Sequence, residues 1–331
     1  MKRILLPMTF LLMIALVACG EQATPTTSLP TPTESPVPSP APTAEVLAEP
    51  GGVEVALSLV VIPDQEAVAV VNGEKISTDV YKEELTRAVY ATTSRYGVNW
   101  NDPEIYSHLP ELQEQVLDQL IWRVLTRQLA SQGGITVDPE AIETEVADLQ
   151  ADIQASEAFA DWASFLAESY LTEESVRSLI ADTMLMEALL ELHGGPRSME
   201  QVHASHILVE TEETGQEVLE KLAADEEFAA LAAEYSIDPG SKDQGGDLGW
   251  FPQGVMVPEF EEAVFSLEPG ETSDLVQTSF GYHIIRVHEK EERELDAALY
   301  EQRQQQQFQT WFEAQRAEAD IERLYTFQTV E

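Results

Sequence analysis

The sequence predicts an α+β protein: a small antiparallel sheet with about four helices, inserted in or appended to an all-α domain built from N- and C-terminal helices. Three observations predict it. Leu112, Val116, Leu117, Leu120, Ile121, Val124, Leu125 and Leu129 recur at helical spacing and form one broad apolar face. Residues 202–209 and 283–287 are short apolar runs bounded by turn residues, the pattern of strands. After residue 291, Phe308, Trp311, Phe312, Ile321, Leu324 and Tyr325 need burial but are too few to form a core. They must return to the helices before 195, which leaves residues 198–290 between two halves of one helical domain.

The chain has 331 residues, with 18 Lys and Arg against 60 Asp and Glu, a formal charge of −42. Phosphate neutralisation needs a basic face, so nucleic acid is excluded as a partner. From the N-terminus, Lys2 and Arg3 precede an apolar run, Ile4 to Val17, of signal-peptide length and short for a membrane span. The run ends in Leu16-Val17-Ala18-Cys19-Gly20, which resembles the lipobox of bacterial lipoproteins. That resemblance implies a signal peptide over 1–18 and a lipid on Cys19, with two acyl chains for stable membrane anchoring. Cys19 is the only cysteine, so an intrachain disulfide and a Cys-rich metal site are excluded.

Residues 21–50 hold eight of the 18 prolines, among Thr, Ser and Ala. This composition reads as an extended spacer, so 19–62 is taken as anchor and disordered linker. Leu59-Val60-Val61-Ile62, before Pro63, is a candidate short strand. A helical domain is expected over 63–197. It begins with a strand at Val68, an Asn72-Gly73 turn and a return to Ile76. Ser77 suits a helix N-cap. Gly133-Gly134 stops the 111–130 helix, and Asp138-Pro139 starts another that carries Ile142, Val146, Leu149 and Ile153. A third, about 172–192, carries Val176, Leu179, Ile180, Met184 and Leu190 and ends at Gly194-Gly195-Pro196.

Within 198–290, Val202 to Val209 reads as a central strand. Residues 215–235 read as two short helices, 236–249 as loop, and Pro258 to Leu267 as a helix with Phe260, Val264 and Phe265 inward. Leu275 to Thr278 and His283 to Val287 read as closing strands, and C-terminal helices follow over 291–331.

Ser205-His206-Ile207-Leu208, Gly245-Gly246-Asp247-Leu248-Gly249-Trp250-Phe251, Met256 before Phe260-Glu261, Glu268-Pro269-Gly270-Glu271, and Phe280-Gly281-Tyr282-His283-Ile284-Ile285 occur in one order. In that order they resemble the parvulin family of peptidyl-prolyl cis–trans isomerases over about 90 residues. The signal sequence and helical flanks are similar to secreted foldases of the PrsA and SurA type. The resemblance implies isomerisation of X–Pro bonds in unfolded or newly exported clients, with chaperone-like client binding, outside the cytoplasm on a bacterial membrane and without a cofactor. It implies a proline pocket of Leu248, Met256 and Phe260, with Phe280 adding apolar wall. It implies a catalytic set of His206, Asp238 and His283.

The chemistry needs no covalent step. The amide barrier of about 18–20 kcal/mol comes from C–N double-bond character, and a catalyst must favour the twisted amide over the planar one. Asp238 would act on the carbonyl by charge or by hydrogen bonding. The two histidines would take part in turnover or hold the site together. Sequence leaves both choices open, and Asp238, before Pro239-Gly240, also suits a turn. A second reading is a non-catalytic holdase. A third is a metal- or solute-binding lipoprotein using His203 and His206, which strand alternation places on opposite faces. Residues 207–220 carry no cluster of Arg or Lys, so selectivity for phosphorylated substrates is not expected.

Overall fold

The computed structural model describes residues 51–156 and 158–327. The signal segment, Cys19 and most of the predicted linker lie outside the described residues.

The described chain is α+β and divides into two compact units. One runs to Leu192 and resumes at Gln309; the other is His193–Phe308. The first unit begins with α1 (Gly51–Ser58), inside the stretch assigned to the linker. Pro50 is the last proline before Pro63. Without prolines the backbone is free to coil, and Val53, Ala56 and Val60 are buried in the core. The linker boundary at 62 is therefore too late, and Leu59–Ile62 forms no strand beyond a single bridge residue at Val60.

β1 (Ala67–Val71) and β2 (Glu74–Ser77) form an antiparallel hairpin. Asn72 and Gly73 join them at φ 49° and 85°, the two positive angles that a tight two-residue hairpin turn requires. The last strand among the described residues, β7 (Ile321–Arg323), pairs with the other edge of β1, giving the order β2-β1-β7. The Asn72 amide oxygen accepts from Asp320 N–H at 2.8 Å and ties the tail to the turn. The domain is thus not all-α. Its tail is one helix and a strand rather than several helices, because Ile321 finds a free strand edge.

Helices surround this sheet. α2 (Thr78–Tyr96) is capped by Ser77 Oγ, which accepts from Val80 N–H, and ends at Gly97 in the left-handed region. α3 (Pro103–Tyr106) is a single turn. α4 (Leu109–Gln132) buries the predicted apolar face, including Leu117, Ile121 and Leu125. α5 (Pro139–Ser156), α6 (Trp162–Glu168) and α7 (Glu173–His193) follow, and Val146, Val176 and Ile180 share a smaller core. A buried ionic network stitches three helices: Arg123 on α4 reaches Glu84 on α2 at 3.0 Å and Asp182 on α7 at 2.8 Å.

The second unit is built on a four-stranded antiparallel sheet in the order β4-β3-β6-β5. Its spine is β3 (Ser198–Val209) against β6 (Gly281–Glu294). One face is covered by α8 (Glu212–Ala223) and α9 (Phe228–Tyr235), through Val218, Phe228 and Leu231 on Ile207, Val209 and Ile284. The other face is covered by α10 (Pro258–Ser266), through Phe260 and Val264 on Val202, Ala204 and Ile285. β5 (Val276–Thr278) closes one edge, and β6 runs on past the predicted end at 287. β4 (Asp247–Pro252) forms the opposite edge, so the predicted loop to residue 249 gives way to a strand three residues early. α11 (Ala297–Glu318) carries the chain out of this unit and buries Phe308 and Phe312.

Candidate active site

Pleat and register bring the two histidines together. On the β3–β6 ladder His206 faces Ile285 and His283 faces Leu208. The two are therefore diagonal neighbours on one face of the sheet, within reach for long side chains. Their rings meet with Nδ1 to Nδ1 at 3.2 Å and centroids 5.3 Å apart. Both are buried.

Asp238 arrives from the turn after α9. Its Oδ2 lies 2.8 Å from His206 Nε2, and its Oδ1 accepts from Gly240 N–H at 3.0 Å. Ser241 Oγ donates to the same Oδ2 and lies 3.1 Å from His206 Nε2. At the far end of the pair, Thr278 Oγ1 on β5 stands 2.8 Å from His283 Nε2.

With both rings neutral, these contacts admit one polarity. The carboxylate only accepts, so His206 Nε2 carries the hydrogen and Nδ1 accepts. His283 then donates from Nδ1, and its Nε2 accepts the Thr278 hydroxyl. A proton added to His206 reverses the last two bonds and changes the tautomer of His283. The chain Asp238–His206–His283–Thr278 thus couples one end of the site to the other.

Burial and these contacts also shift the ionisation of the groups at either side of His206. Burial works to raise the Asp238 carboxyl, but donation from Ser241, His206 and the Gly240 N–H outweighs it and holds the group at about 2. Burial first, then the neighbouring His206, lowers His283 to about 4, with Asp238 opposing. At neutral pH the set is one carboxylate beside a neutral His283.

The apolar wall adjoins the rings. Phe260 is 3% exposed and sets its ring nearly perpendicular to both imidazoles, with centroids 5.8 Å from His206 and 5.2 Å from His283. Leu248 and Met256 are half-buried and pack in the same cluster as Phe260, Phe251 and Ile285. A bulge puts Leu248 there. β3 advances two residues from His203 to Ser205 while β4 advances three, from Trp250 to Asp247, with Gly249 at φ 68°. The extra residue turns Leu248 to the same face as Phe251, where strict alternation would oppose them. Phe280 differs: it is 63% exposed in the turn between β5 and β6, with its N–H donating to Thr278 Oγ1 at 3.1 Å. It stands beside the network as an exposed ring rather than in the buried wall.

His203 belongs to a separate set on the opposite face. Its Nε2 lies 2.8 Å from Asp247 Oδ1, and its ring packs near His288 at 4.9 Å. His203 and His206 therefore do not converge, and no cluster of metal-ligating side chains occurs among the described residues. Sequence reasoning missed Ser241 and Thr278. The signal available was their spacing: Ser241 closes the Asp-Pro-Gly-Ser turn, and Thr278 stands five residues before His283. Gly246 was read only as part of a motif. Its carbonyl accepts His206 N–H at 2.8 Å, and a Cβ on it would come within 2.2 Å of the His206 carbonyl oxygen.

A family model for the PPIC-type PPIase domain matches residues 188–291, and one for the SurA-like N-terminal domain matches residues 55–190. The foldase protein PrsA of Caldanaerobacter subterraneus subsp. tengcongensis is 38% identical over 225 residues, 67% of this chain and 72% of that protein. The chain belongs to the PrsA foldase family. The PrsA of Halalkalibacterium halodurans is 34% identical over 250 residues, covering 68% of this chain and 74% of its own. A crystal structure of the peptidylprolyl isomerase PrsA from Bacillus cereus aligns at a TM-score of 0.42 and 24% identity, over 76% of this chain and 90% of that one. This foldase is a peptidyl-prolyl cis–trans isomerase with a SurA-like helical partner domain.

Proposed function

We propose that this PrsA-family foldase isomerises X–Pro bonds of newly exported proteins from a lipid anchor at Cys19, on the extracytoplasmic face of a bacterial membrane. One observation carries the catalytic reading: the Asp238–His206–His283–Thr278 network lies directly against the Phe260 ring, so apolar wall and polar chain share one surface.

In this reading Leu248, Met256 and Phe260 hold the proline ring, and exposed Phe280 covers it on entry. The Asp238 carboxylate, with its side chain 24% exposed, stands by the carbonyl of the twisting amide. Fixed negative charge disfavours build-up of charge on the carbonyl oxygen, which weakens C–N double-bond character. His206 and His283 orient that carboxylate. Every tenfold in rate needs about 1.4 kcal/mol of preference for the twisted amide. The helical unit binds unfolded stretches of the client through apolar side chains left exposed, such as Val80, Tyr96 and Leu192.

The test is the cis-to-trans relaxation of an unphosphorylated Xaa-Pro peptide by residues 21–331. Asp238→Ala and Phe260→Ala are each expected to abolish the acceleration. An unaccelerated relaxation with the unmutated protein sinks the catalytic reading. Client refolding that survives both substitutions would make holding, not turnover, the main activity.

A further inference from the structure

Ser241 touches two of the polar groups at the site and belongs to none of the motifs that pointed to it. Its hydroxyl donates to Asp238 Oδ2, and Oγ stands 3.1 Å from His206 Nε2. At 2% exposed it lies out of reach of a bound peptide. The backbone fixes it firmly. The Ser241 carbonyl accepts from Gln244 N–H at 2.8 Å and Gly246 N–H at 2.9 Å, and the Gly246 carbonyl accepts from His206 N–H at 2.8 Å. Lys242 N–H donates to the Asp238 carbonyl at 3.1 Å and closes the turn from below. Ser241, Asp238 and His206 are thereby held to one another by main chain as well as by side chains.

The donor count gives the hydroxyl its importance. Asp238 Oδ1 is satisfied by the Gly240 N–H alone, while Oδ2 takes both His206 and Ser241. His206 donates to Asp238 only in one of its two neutral tautomers, whereas the serine hydroxyl turns freely and donates whatever the state of the ring. It is the donor on Oδ2 that does not depend on the tautomer.

We infer that Ser241 is a positioning residue for the isomerase reaction: its hydroxyl fixes the Asp238 carboxylate as the acceptor for His206. This rests on the reading of Asp238 as part of the active site. Without the hydroxyl, burial acts on a carboxylate that has lost a donor, so Asp238 binds a proton more readily. The carboxylate, still anchored through Oδ1 by the Gly240 N–H, is then free to swing Oδ2 away from His206, and the polarity of the chain out to His283 and Thr278 is no longer imposed.

The test pairs kinetics with a titration, both in the full chain. Ser241→Ala is expected to lower kcat about tenfold with KM changed less than about twofold, since the residue acts on charge placement rather than on proline binding. The Asp238 carboxyl resonance is expected to titrate about one pH unit higher than in the unmutated protein. Ser241→Cys matches the side chain in size but donates weakly, and is expected to show the same upward titration. An unchanged Asp238 titration in the folded Ala or Cys variant overturns the inference, and so does a loss confined to KM. Asp238→Ala run in parallel separates the two readings. Full activity in that variant removes Asp238 from the site, whereas an unchanged Asp238 titration in the Ser241 variants removes only the role of the serine.

Discussion

His283 shows how a single buried side chain sets a pH limit. It is lowered to about 4, first by burial and then by His206 beside it. A depressed histidine is neutral in the fold and takes its proton more readily when unfolded. Its contribution to stability is therefore complete above about pH 6.5, the unfolded value, and is lost as pH falls toward 4. Asp238, held at about 2, keeps its own contribution throughout that window, because an Asp loses it only below about 3.9. The span corresponds to at most about 3 kcal/mol. Urea unfolding at pH 7 and pH 5 is expected to show the native protein losing stability across the interval, and His283→Asn losing less. Equal losses in the two proteins would remove the effect from His283. The pairing behind it was legible in part. The sequence placed both histidines on strands, but only the register makes them diagonal neighbours, and register depends on a partner 77 residues away. Ser241 and Thr278 escaped for the same reason: their spacing to Asp238 and His283 gains meaning only once the turn and β5 are folded against the strands they serve.

At the level of elements, local signals served where the physics is local. The Asn72-Gly73 hairpin, the Ser77 cap, the apolar face of α4 and the Pro139 start of α5 all stand where composition and spacing put them. Expectation failed where pairing is distant. Ile321–Arg323 has no strand signature of its own and becomes a strand because β1 offers an edge; β4 emerges from a glycine-rich stretch because β3 runs alongside it. The tail contributes more than one strand. Phe327 is buried and stacks on Tyr81 with centroids 5.1 Å apart, and Arg323 pairs with Glu114 and Asp118 on α4. Truncation after Glu318 removes all of these and exposes an edge of β1. Burial of an aromatic ring alone is worth about 3–5 kcal/mol on deletion. The truncated chain is expected to lose the thermal transition of the helical unit by several degrees or more while peptide isomerisation changes less than about twofold. A transition unchanged by truncation would show that the tail strand is dispensable to the helical unit. Isomerisation lost in step with it would show that the unit of residues 193–308 does not hold its site alone.

For the whole molecule, charge and anchoring act against each other. A formal charge of −42 repels the chain from a surface of anionic headgroups, and among the described residues no helix is long and apolar enough to cross a membrane. Membrane attachment by the proposed lipid on Cys19 must therefore overcome repulsion rather than add to an attraction. One acyl chain gives marginal, reversible binding, whereas the two chains of a diacylglycerol hold stably. If the proposed lipid is the anchor, location depends on Cys19. Cys19→Ala, expressed in a bacterium that processes lipoproteins, is expected to move the protein from the detergent phase to the aqueous phase on Triton partitioning, with peptide isomerisation unchanged. Raising the salt concentration is expected to leave the unmutated protein in the detergent phase, since no ionic contact holds it there. A Cys19→Ala protein that stays membrane-bound in high salt would point to an apolar attachment elsewhere and set the lipid anchor aside.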